Sequence, residues 1–120
     1  MGDFKDLIVF QKAYKLAMDI FEVTKKFPSE EKYSLTDQIR RSSRSVCTNL
    51  AEGYRKRRYP AHFVSKLSDS ETENTETLVW LDFAYDCKYL SEELYKDFTF
   101  KNNEVRKMLW SMIQNPDKFT

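Results

Sequence analysis

Basic side chains are the residues whose type and spacing most clearly predict a chemistry in this sequence. They are concentrated between residues 34 and 58, in the segment SLTDQIRRSSRSVCTNLAEGYRKRR. With successive residues about 100° apart around a helix, the arginines lie opposite an apolar face. An arginine guanidinium presents a planar set of donors that suits phosphate oxygens. The segment therefore predicts RNA or DNA binding, and its candidate contact residues are Arg40, Arg44, Arg55, Lys56, Arg57 and Arg58.

The first part of this segment has an alternative interpretation. A short turn near Tyr59 makes the helices before and after it antiparallel, which is expected to bring Arg44 near Glu73 and Arg41 near Glu76. The acids would then neutralise much of the arginine stripe, either within one subunit or between subunits. In that case these arginines serve folding or assembly rather than phosphate binding.

The basic cluster, Arg55–Arg58, is the better nucleic-acid candidate. It faces the turn, where no acid is expected, and Tyr54 and Tyr59 flank it. Unpaired cations beside aromatic rings suit phosphate contact together with base stacking. The alternative for the cluster is a solvated helix end with no ligand.

Acidic and nucleophilic side chains form no recognisable catalytic or metal site. Asp69, Glu73 and Glu76 lie one turn apart, as carboxylates do in the metal sites of helical bundles. Those sites also need a Glu-x-x-His pair, and the single histidine, His62, lies at the other end of the same predicted helix. The sequence contains no glycine-rich phosphate loop and no GxSxG motif. We therefore expect no enzyme activity, no catalytic residue, no metal and no cofactor.

A second group of residues is expected to serve assembly or structure. A polar stripe borders the apolar face of the basic segment, and the next helix carries acids in its first half and aromatic side chains in its second. The first helix shows more apolar surface than three bundle neighbours need, which indicates either a subunit contact or overpacking. The candidate oligomer or structural residues are Gln38, Arg41, Ser45, Asn49, Glu52, Glu73, Glu76, Trp80 and Phe83.

Four helices are needed to position these residues. Apolar residues recurring every three or four positions predict helices at about 6–26, 34–57, 61–88 and 92–114. Ser34 and Ser91 are candidate N-caps, and Pro60 suits the first turn of the third helix. The run 99–103 is poor in helix formers and leaves the continuity of the last helix open. Residues 1–120 are predicted to form one all-α domain.

Composition narrows the class of protein further. A formal charge of +1 argues against a globally basic nucleic-acid binder, but the charge is unevenly distributed. Residues 40–58 hold seven bases and one acid, whereas residues 69–86 hold six acids and no base, so the molecule is polarised. Cys47 and Cys87 form no CxxC pair and are expected to be reduced thiols. Without a recognisable signal peptide or membrane span, we expect a cytoplasmic protein with no membrane partner.

Spaced motifs along the chain resemble those of the four-helix-bundle proteins found as open reading frames in intervening sequences of bacterial 23S ribosomal RNA genes. In that pattern, Leu-x-Val-aromatic-x-x-Ala is followed by Thr-x-x-Phe-Pro, by Leu-x-x-Gln-x-x-Arg-(Ala or Ser)-x-x-Ser and by Asn-(Ile or Leu)-Ala-Glu-Gly. The matching residues are Leu7, Val9, Phe10, Ala13, Thr24, Phe27, Pro28, Leu35, Gln38, Arg41, Ser42, Ser45, Asn49, Leu50, Ala51, Glu52 and Gly53. The later segments FVSKLSDSETENTETLVWLDFAYDCKYL and KMLWSMI resemble one branch of the family.

The resemblance implies an antiparallel up-down-up-down four-helix bundle that assembles into a ring-like homopentamer. The accessory variability proteins of diversity-generating retroelements look similar too; they form basic pentameric barrels that bind nucleic acid and the retroelement's reverse transcriptase. This chain is nearly neutral and has an acidic third helix, which favours the ribosomal-gene branch. Two functions stay open. One is an oligomeric nucleic-acid binder, and the other is a protein-interaction scaffold or reverse-transcriptase accessory subunit whose charged and aromatic stripes serve assembly only.

Overall fold

The computed structural model describes residues 2–119, and four α-helices account for most of that range. Helix α1 spans Ile8–Thr24, α2 spans Leu35–Arg55, α3 spans Pro60–Asp86 and α4 spans Glu92–Gln114. Short 3-10 turns lie at Phe4–Asp6, Ser29–Glu31 and Pro116–Lys118. Residues 2–119 contain no β-strand, so the predicted all-α class is confirmed. Every helix begins and ends within two residues of its predicted bounds.

The backbone explains where the helices differ from the prediction. Leu7 is extended, with φ −69° and ψ 129°, and it separates the first 3-10 turn from α1. The first helix therefore begins at Ile8 rather than at Asp6. Lys88 has a φ of 67°, and this left-handed conformation follows the end of α3 at Asp86.

The two predicted N-caps have different outcomes. Ser91 caps α4, because its Oγ accepts a hydrogen bond from the backbone N–H of Leu94 at 3.1 Å. The side chain of Ser34 makes no such cap, and that prediction is wrong. Its hydroxyl instead donates to Glu31 Oε1 at 2.6 Å, and the same oxygen accepts from the N–H of Leu35 at 3.3 Å. Glu31 therefore takes over the capping role. Its pKa is lowered, and the hydrogen bond from Ser34 is the largest cause.

Two hydrophobic clusters fill the interior, one toward each end of the helices. Leu50, Phe63 and Leu109 belong to the first cluster, and Ile39 and Leu81 belong to the second. Buried polar side chains lie between the two clusters along the helices. We call these five residues the polar layer: Ser42, Ser70, Asn74, Thr77 and Asn102.

The polar layer explains why α4 is a continuous helix. Helix α4 passes through residues 99–103 without a break. Asn102 points inward and is 1% exposed, and its Nδ2 donates to the carbonyl oxygen of Asn74 at 3.1 Å. A residue of modest helix propensity is tolerated there because tertiary hydrogen bonds hold it.

The contacts between α2 and α3 follow one register, in which residue numbers rise on α2 as they fall on α3. The hydroxyls of Ser42 and Thr77 lie 2.8 Å apart, and Glu52 Oε1 lies 2.9 Å from Lys66 Nζ. Helices α1 and α4 also meet, along a seam that carries ion pairs such as Lys12 Nζ to Glu104 Oε1 at 3.5 Å. No helix within residues 2–119 has both the length and the apolar character needed to cross a membrane.

Candidate nucleic-acid interface

The basic cluster lies where α2 ends and α3 begins. Helix α2 ends at Arg55, and a tight turn follows in which the N–H of Tyr59 donates to the carbonyl oxygen of Lys56 at 2.8 Å. This turn brings three arginines and one aromatic ring to a shared groove of about 400 Å³. The groove is lined by Arg55, Arg57, Arg58 and Tyr59. The structure therefore brings together three of the four predicted residues of the cluster.

Two side chains of the cluster are held in place by aromatic rings. The guanidinium carbon of Arg57 lies 4.1 Å from the centroid of the Tyr54 ring, and its Nη1 donates to the Tyr54 carbonyl oxygen at 2.9 Å. The guanidinium carbon of Arg55 lies 5.7 Å from the centroid of the Phe4 ring. Contacts of this kind restrict the side chains without neutralising their charge.

No carboxylate of residues 2–119 lies at ion-pair distance from the basic cluster. Within residues 2–119, none of the four cations forms an ion pair. An acidic residue of the N-terminal segment adjoins the cluster, because Asp3 and Phe4 share a second groove of about 350 Å³ with Arg55 and Arg57. The periodic pattern of α2 did not predict this neighbour, since it lies in a 3-10 turn outside the four helices.

Arg40 and Arg44 face α1 rather than α3. The guanidinium carbons of Arg40 and Arg44 lie 4.7 Å and 5.5 Å from the centroid of the Phe21 ring. Arg40 also donates from Nε to Thr24 Oγ1 at 2.8 Å. These two arginines therefore contribute to the joint between α1 and α2, a role that the sequence pattern did not predict.

The expected ion pairs of Arg44 with Glu73 and of Arg41 with Glu76 do not form within one chain, over the residues described. An ion pair does join α2 to α3 nearer the turn between them, but with the opposite polarity, since the acid, Glu52, is on α2 and the base, Lys66, is on α3. Burial raises the pKa of Glu73, and the neighbouring Glu76 carboxylate raises it further, while Arg41 lowers it in part. Arg41 thus acts on Glu73 through its charge and not through a contact.

An apolar groove runs between α1 and α2, on the outer side of the bundle. Its volume is about 450 Å³, and it is lined by Phe4, Phe10, Tyr14, Ala17, Met18, Arg44, Cys47, Thr48 and Ala51. Tyr14 is 55% exposed and Met18 is 45% exposed, consistent with the excess apolar surface predicted for the first helix. Cys47 is buried beneath the groove, and this burial raises the pKa of its thiol to about 11.

The sequence of this chain matches a known protein family over most of its length. Residues 5–111 match the model of the 23S rRNA-intervening sequence protein family. The chain belongs to this family. The match supports the resemblance inferred from the spaced motifs.

A solved structure supports the same relationship. The chain is similar to the crystal structure of a protein of unknown function from the S23 ribosomal protein family of Bacteroides thetaiotaomicron VPI-5482. The TM-score is 0.80 at 29% sequence identity, and the match covers 88% of this chain and 98% of the other. No curated protein matches the chain significantly.

The family motif on α2 divides into two stripes in the structure. Leu35, Ser42, Leu50 and Gly53 are buried and Ala51 is half-buried, whereas the polar residues lie closer to the surface. Of the polar stripe, Gln38, Ser45 and Asn49 are half-buried and Glu52 is exposed. Asn49 Nδ2 donates to the carbonyl oxygen of Ser45 at 3.0 Å, so this donor has its partner within its own helix.

The aromatic end of α3 is partly covered. The ring centroids of Trp80 and Phe83 lie 5.9 Å apart, and Trp80 packs against the second hydrophobic cluster. Phe83 is 53% exposed. In the part of the family member that the structure describes, no group of three His, Cys, Asp or Glu side chains is placed to hold a metal ion.

Proposed function

We propose that this chain is a non-enzymatic, oligomeric bundle protein of the cytoplasm that binds RNA or DNA. The basic cluster, Arg55, Lys56, Arg57 and Arg58, is the proposed contact surface. The observation that carries the proposal is the groove lined by three arginines and Tyr59. None of these arginines forms an ion pair within residues 2–119. Phosphates are the common ligands of such a surface because guanidinium groups bind them through paired hydrogen bonds.

The order of the side chains supports contact with a nucleic-acid backbone and an exposed base. Arg57 is held by Tyr54, so less side-chain freedom is lost when it binds a phosphate. Tyr59 is 57% exposed at the edge of the groove and offers a ring face for base stacking. Arg40 and Arg44 lie outside this groove, and we assign them a smaller share of the binding because α1 already contacts them.

We further infer that the bundle has up-down-up-down topology and assembles into a ring-like homopentamer, as the resemblance to the family implies. The register of the α2–α3 contacts supports opposite directions for these neighbours. A ring would present several copies of a weak basic cluster to one nucleic acid, and avidity would strengthen the binding.

The experiment that tests nucleic-acid binding measures affinity as a function of salt. Fluorescence anisotropy is recorded with labelled single-stranded and duplex RNA and DNA for the natural chain and for a variant with Arg55, Lys56, Arg57 and Arg58 changed to alanine. The expected affinity of the natural chain falls linearly with salt on a logarithmic scale, with a slope of about −0.7 to −0.9 per neutralised phosphate. The variant is expected to lose most of the affinity and to have a shallower slope.

A control variant separates a local site from a general charge effect. Lys26, Arg106, Lys107 and Lys118 are exposed and form no ion pair within residues 2–119. Changing these four residues to alanine removes the same net charge outside the cluster. Equal loss of affinity in both variants, or none in the cluster variant, would overturn the proposal.

The apolar groove supports a second candidate function, a protein-interaction scaffold. In this scaffold, we propose that the α3 surface carrying Glu76, Val79 and Phe83 docks on a second copy of the chain. The docking site is the α1–α2 groove of that copy, which Arg44 lines. Val79 is 44% exposed, Phe83 is 53% exposed, and the charges of Glu76 and Arg44 are complementary. An accessory role beside a reverse transcriptase stays a prediction of the resemblance alone.

Charge exchange tests this scaffold. Light scattering is expected to show a reduced mass for Arg44→Glu and for Glu76→Arg, and a restored mass when one chain carries both changes. Failure of the double change to restore the mass would reject this interface. Nucleic-acid binding is measured on the same variants. A reduced mass with retained binding in Glu76→Arg separates the two functions, since Glu76 has no share in the proposed phosphate contacts.

A further inference from the structure

The polar layer contains a buried acceptor that no group of residues 2–119 satisfies. Asn74 is 1% exposed, and its Nδ2 donates to both the carbonyl oxygen and Oδ1 of Asn102, at 3.2 Å and 3.1 Å. Its own Oδ1 is buried and has no hydrogen-bond partner among residues 2–119. A buried carbonyl without a partner has lost its hydration with no compensating hydrogen bond, so an acceptor of this kind usually has a partner.

The orientation of the Asn74 amide is fixed by its surroundings. Turning the amide over would place Oδ1 against the carbonyl oxygen and Oδ1 of Asn102, which are both acceptors. The Asn102 side chain cannot turn over to compensate, because its Nδ2 donates to the Asn74 carbonyl oxygen at 3.1 Å. The unsatisfied atom is therefore Oδ1 of Asn74 and not a consequence of amide assignment.

A small internal cavity adjoins this layer. The space open to the centre of a water molecule is about 10 Å³, at the lower limit for one bound water. The polar residues Ser43, Asn74, Thr77 and Asn102 are among those that line it. The apolar residues Ala13, Leu16, Val46 and Val105 form the rest of its wall. All of the residues that line the cavity are buried.

We propose that this cavity is a binding site for a single ordered water molecule, which donates a hydrogen bond to Asn74 Oδ1. The hydroxyl oxygen of Ser43 can still accept, since Ser43 donates to the Arg40 carbonyl oxygen. Thr77 donates to the Glu73 carbonyl oxygen and accepts from Ser42, which leaves one acceptor position on its Oγ1. A water with two or more such partners meets the requirement for an internal hydration site. The water completes the polar layer and links α3 to the wall formed by the neighbouring helices.

Crystallography and NMR test this site on the full natural chain. A high-resolution crystal structure is expected to show one water within hydrogen-bond distance of Asn74 Oδ1. Water-to-protein cross-relaxation is expected at the methyl groups of Val105, which line the same cavity. An Ala13→Val variant, which fills the space, is expected to lose the Val105 signal.

The opposing outcome is a dry cavity. A high-resolution map without water near Asn74 Oδ1, or the absence of a water signal at Val105 in the natural chain, would overturn the proposal. These measurements on the natural chain decide the matter even if Ala13→Val does not fold.

Discussion

The guanidinium carbon of Arg40 lies 4.7 Å from the centre of the Phe21 ring, and Arg40 Nε donates to Thr24 Oγ1 at 2.8 Å. This relationship ties α2 to α1 through a residue that also belongs to the predicted phosphate-binding stripe. One arginine of that stripe therefore has a structural role in the absence of any ligand.

The first prediction concerns stability. Replacing Arg40 by alanine removes a cation–π contact and a hydrogen bond, and we expect the free energy of unfolding to fall by about 1–2 kcal/mol. Arg41→Ala is the matched control, since Arg41 is exposed, and its change is expected to stay within about 0.5 kcal/mol. Urea denaturation measures both values. Equal effects of the two changes would show that the contacts with α1 contribute nothing.

The second prediction concerns pH. The fold raises the pKa of Glu73 through burial and through the charges of Glu76 and Asp69, with Arg41 opposing them in part. The protonated carboxyl is therefore favoured in the folded state, a contribution that is full below the unfolded pKa and lost as pH rises through the folded pKa. Glu73→Gln imitates the protonated group.

We expect Glu73→Gln to be more stable than the natural chain at neutral pH, with the difference shrinking as pH falls through the range where glutamate is protonated. Glu30→Gln is the control because Glu30 is exposed. Denaturation midpoints measured across pH would contradict the prediction if Glu73→Gln destabilised the chain at neutral pH.

The third prediction concerns the two thiols. Cys47 is buried and its pKa is raised to about 11, whereas Cys87 is exposed. Since the thiolate is the nucleophile, alkylation at neutral pH should modify Cys87 and spare Cys47 in the folded protein. Mass spectrometry is expected to find one adduct per chain without denaturant and two in urea. Rapid labelling of Cys47 in the folded chain would show that the α1–α2 groove opens.

The fourth prediction concerns Gly53. A Cβ atom added there would lie 3.0 Å from Lys66 Cβ, an atom fixed to the backbone of α3. Overpacking costs about 1–3 kcal/mol, which exceeds the gain of up to about 1 kcal/mol in helix propensity from glycine to alanine. We therefore expect Gly53→Ala to be destabilising by about 1 kcal/mol and Gly53→Val to be worse. A stabilised alanine variant in thermal denaturation would show that the two helices separate easily.

Features of the fold that depend on residue spacing could be predicted from the sequence, whereas features that depend on contacts between helices could not. The core face of α2 could be predicted because Leu35, Ile39, Val46 and Leu50 recur at helical spacing, and all of them are buried. The inward position of Asn102 could not, since an asparagine in a run of weak helix formers looks like an interruption. Its hydrogen bonds to a residue on another helix justify its place only once the two helices are packed.

The candidate site could be predicted from the sequence less completely than the fold. The grouping of Arg55, Arg57 and Arg58 follows from adjacency in the chain and from the turn before Pro60. The contacts of Arg40 and Arg44 with Phe21 depend on which helix packs beside that face of α2. Helical periodicity places a side chain around its own axis but does not say which helix lies opposite. That choice is made by tertiary packing.

The seam between α1 and α4 has a consequence for the folding pathway. Most of the tertiary contacts join helices that are consecutive in the chain, whereas this seam joins segments separated by two whole helices. Local contacts favour fast folding, and closing a long loop adds an entropic barrier that local pairs do not meet. The seam, with its exposed ion pair between Lys12 and Glu104, is therefore expected to form last during folding and to open first in native-state hydrogen exchange.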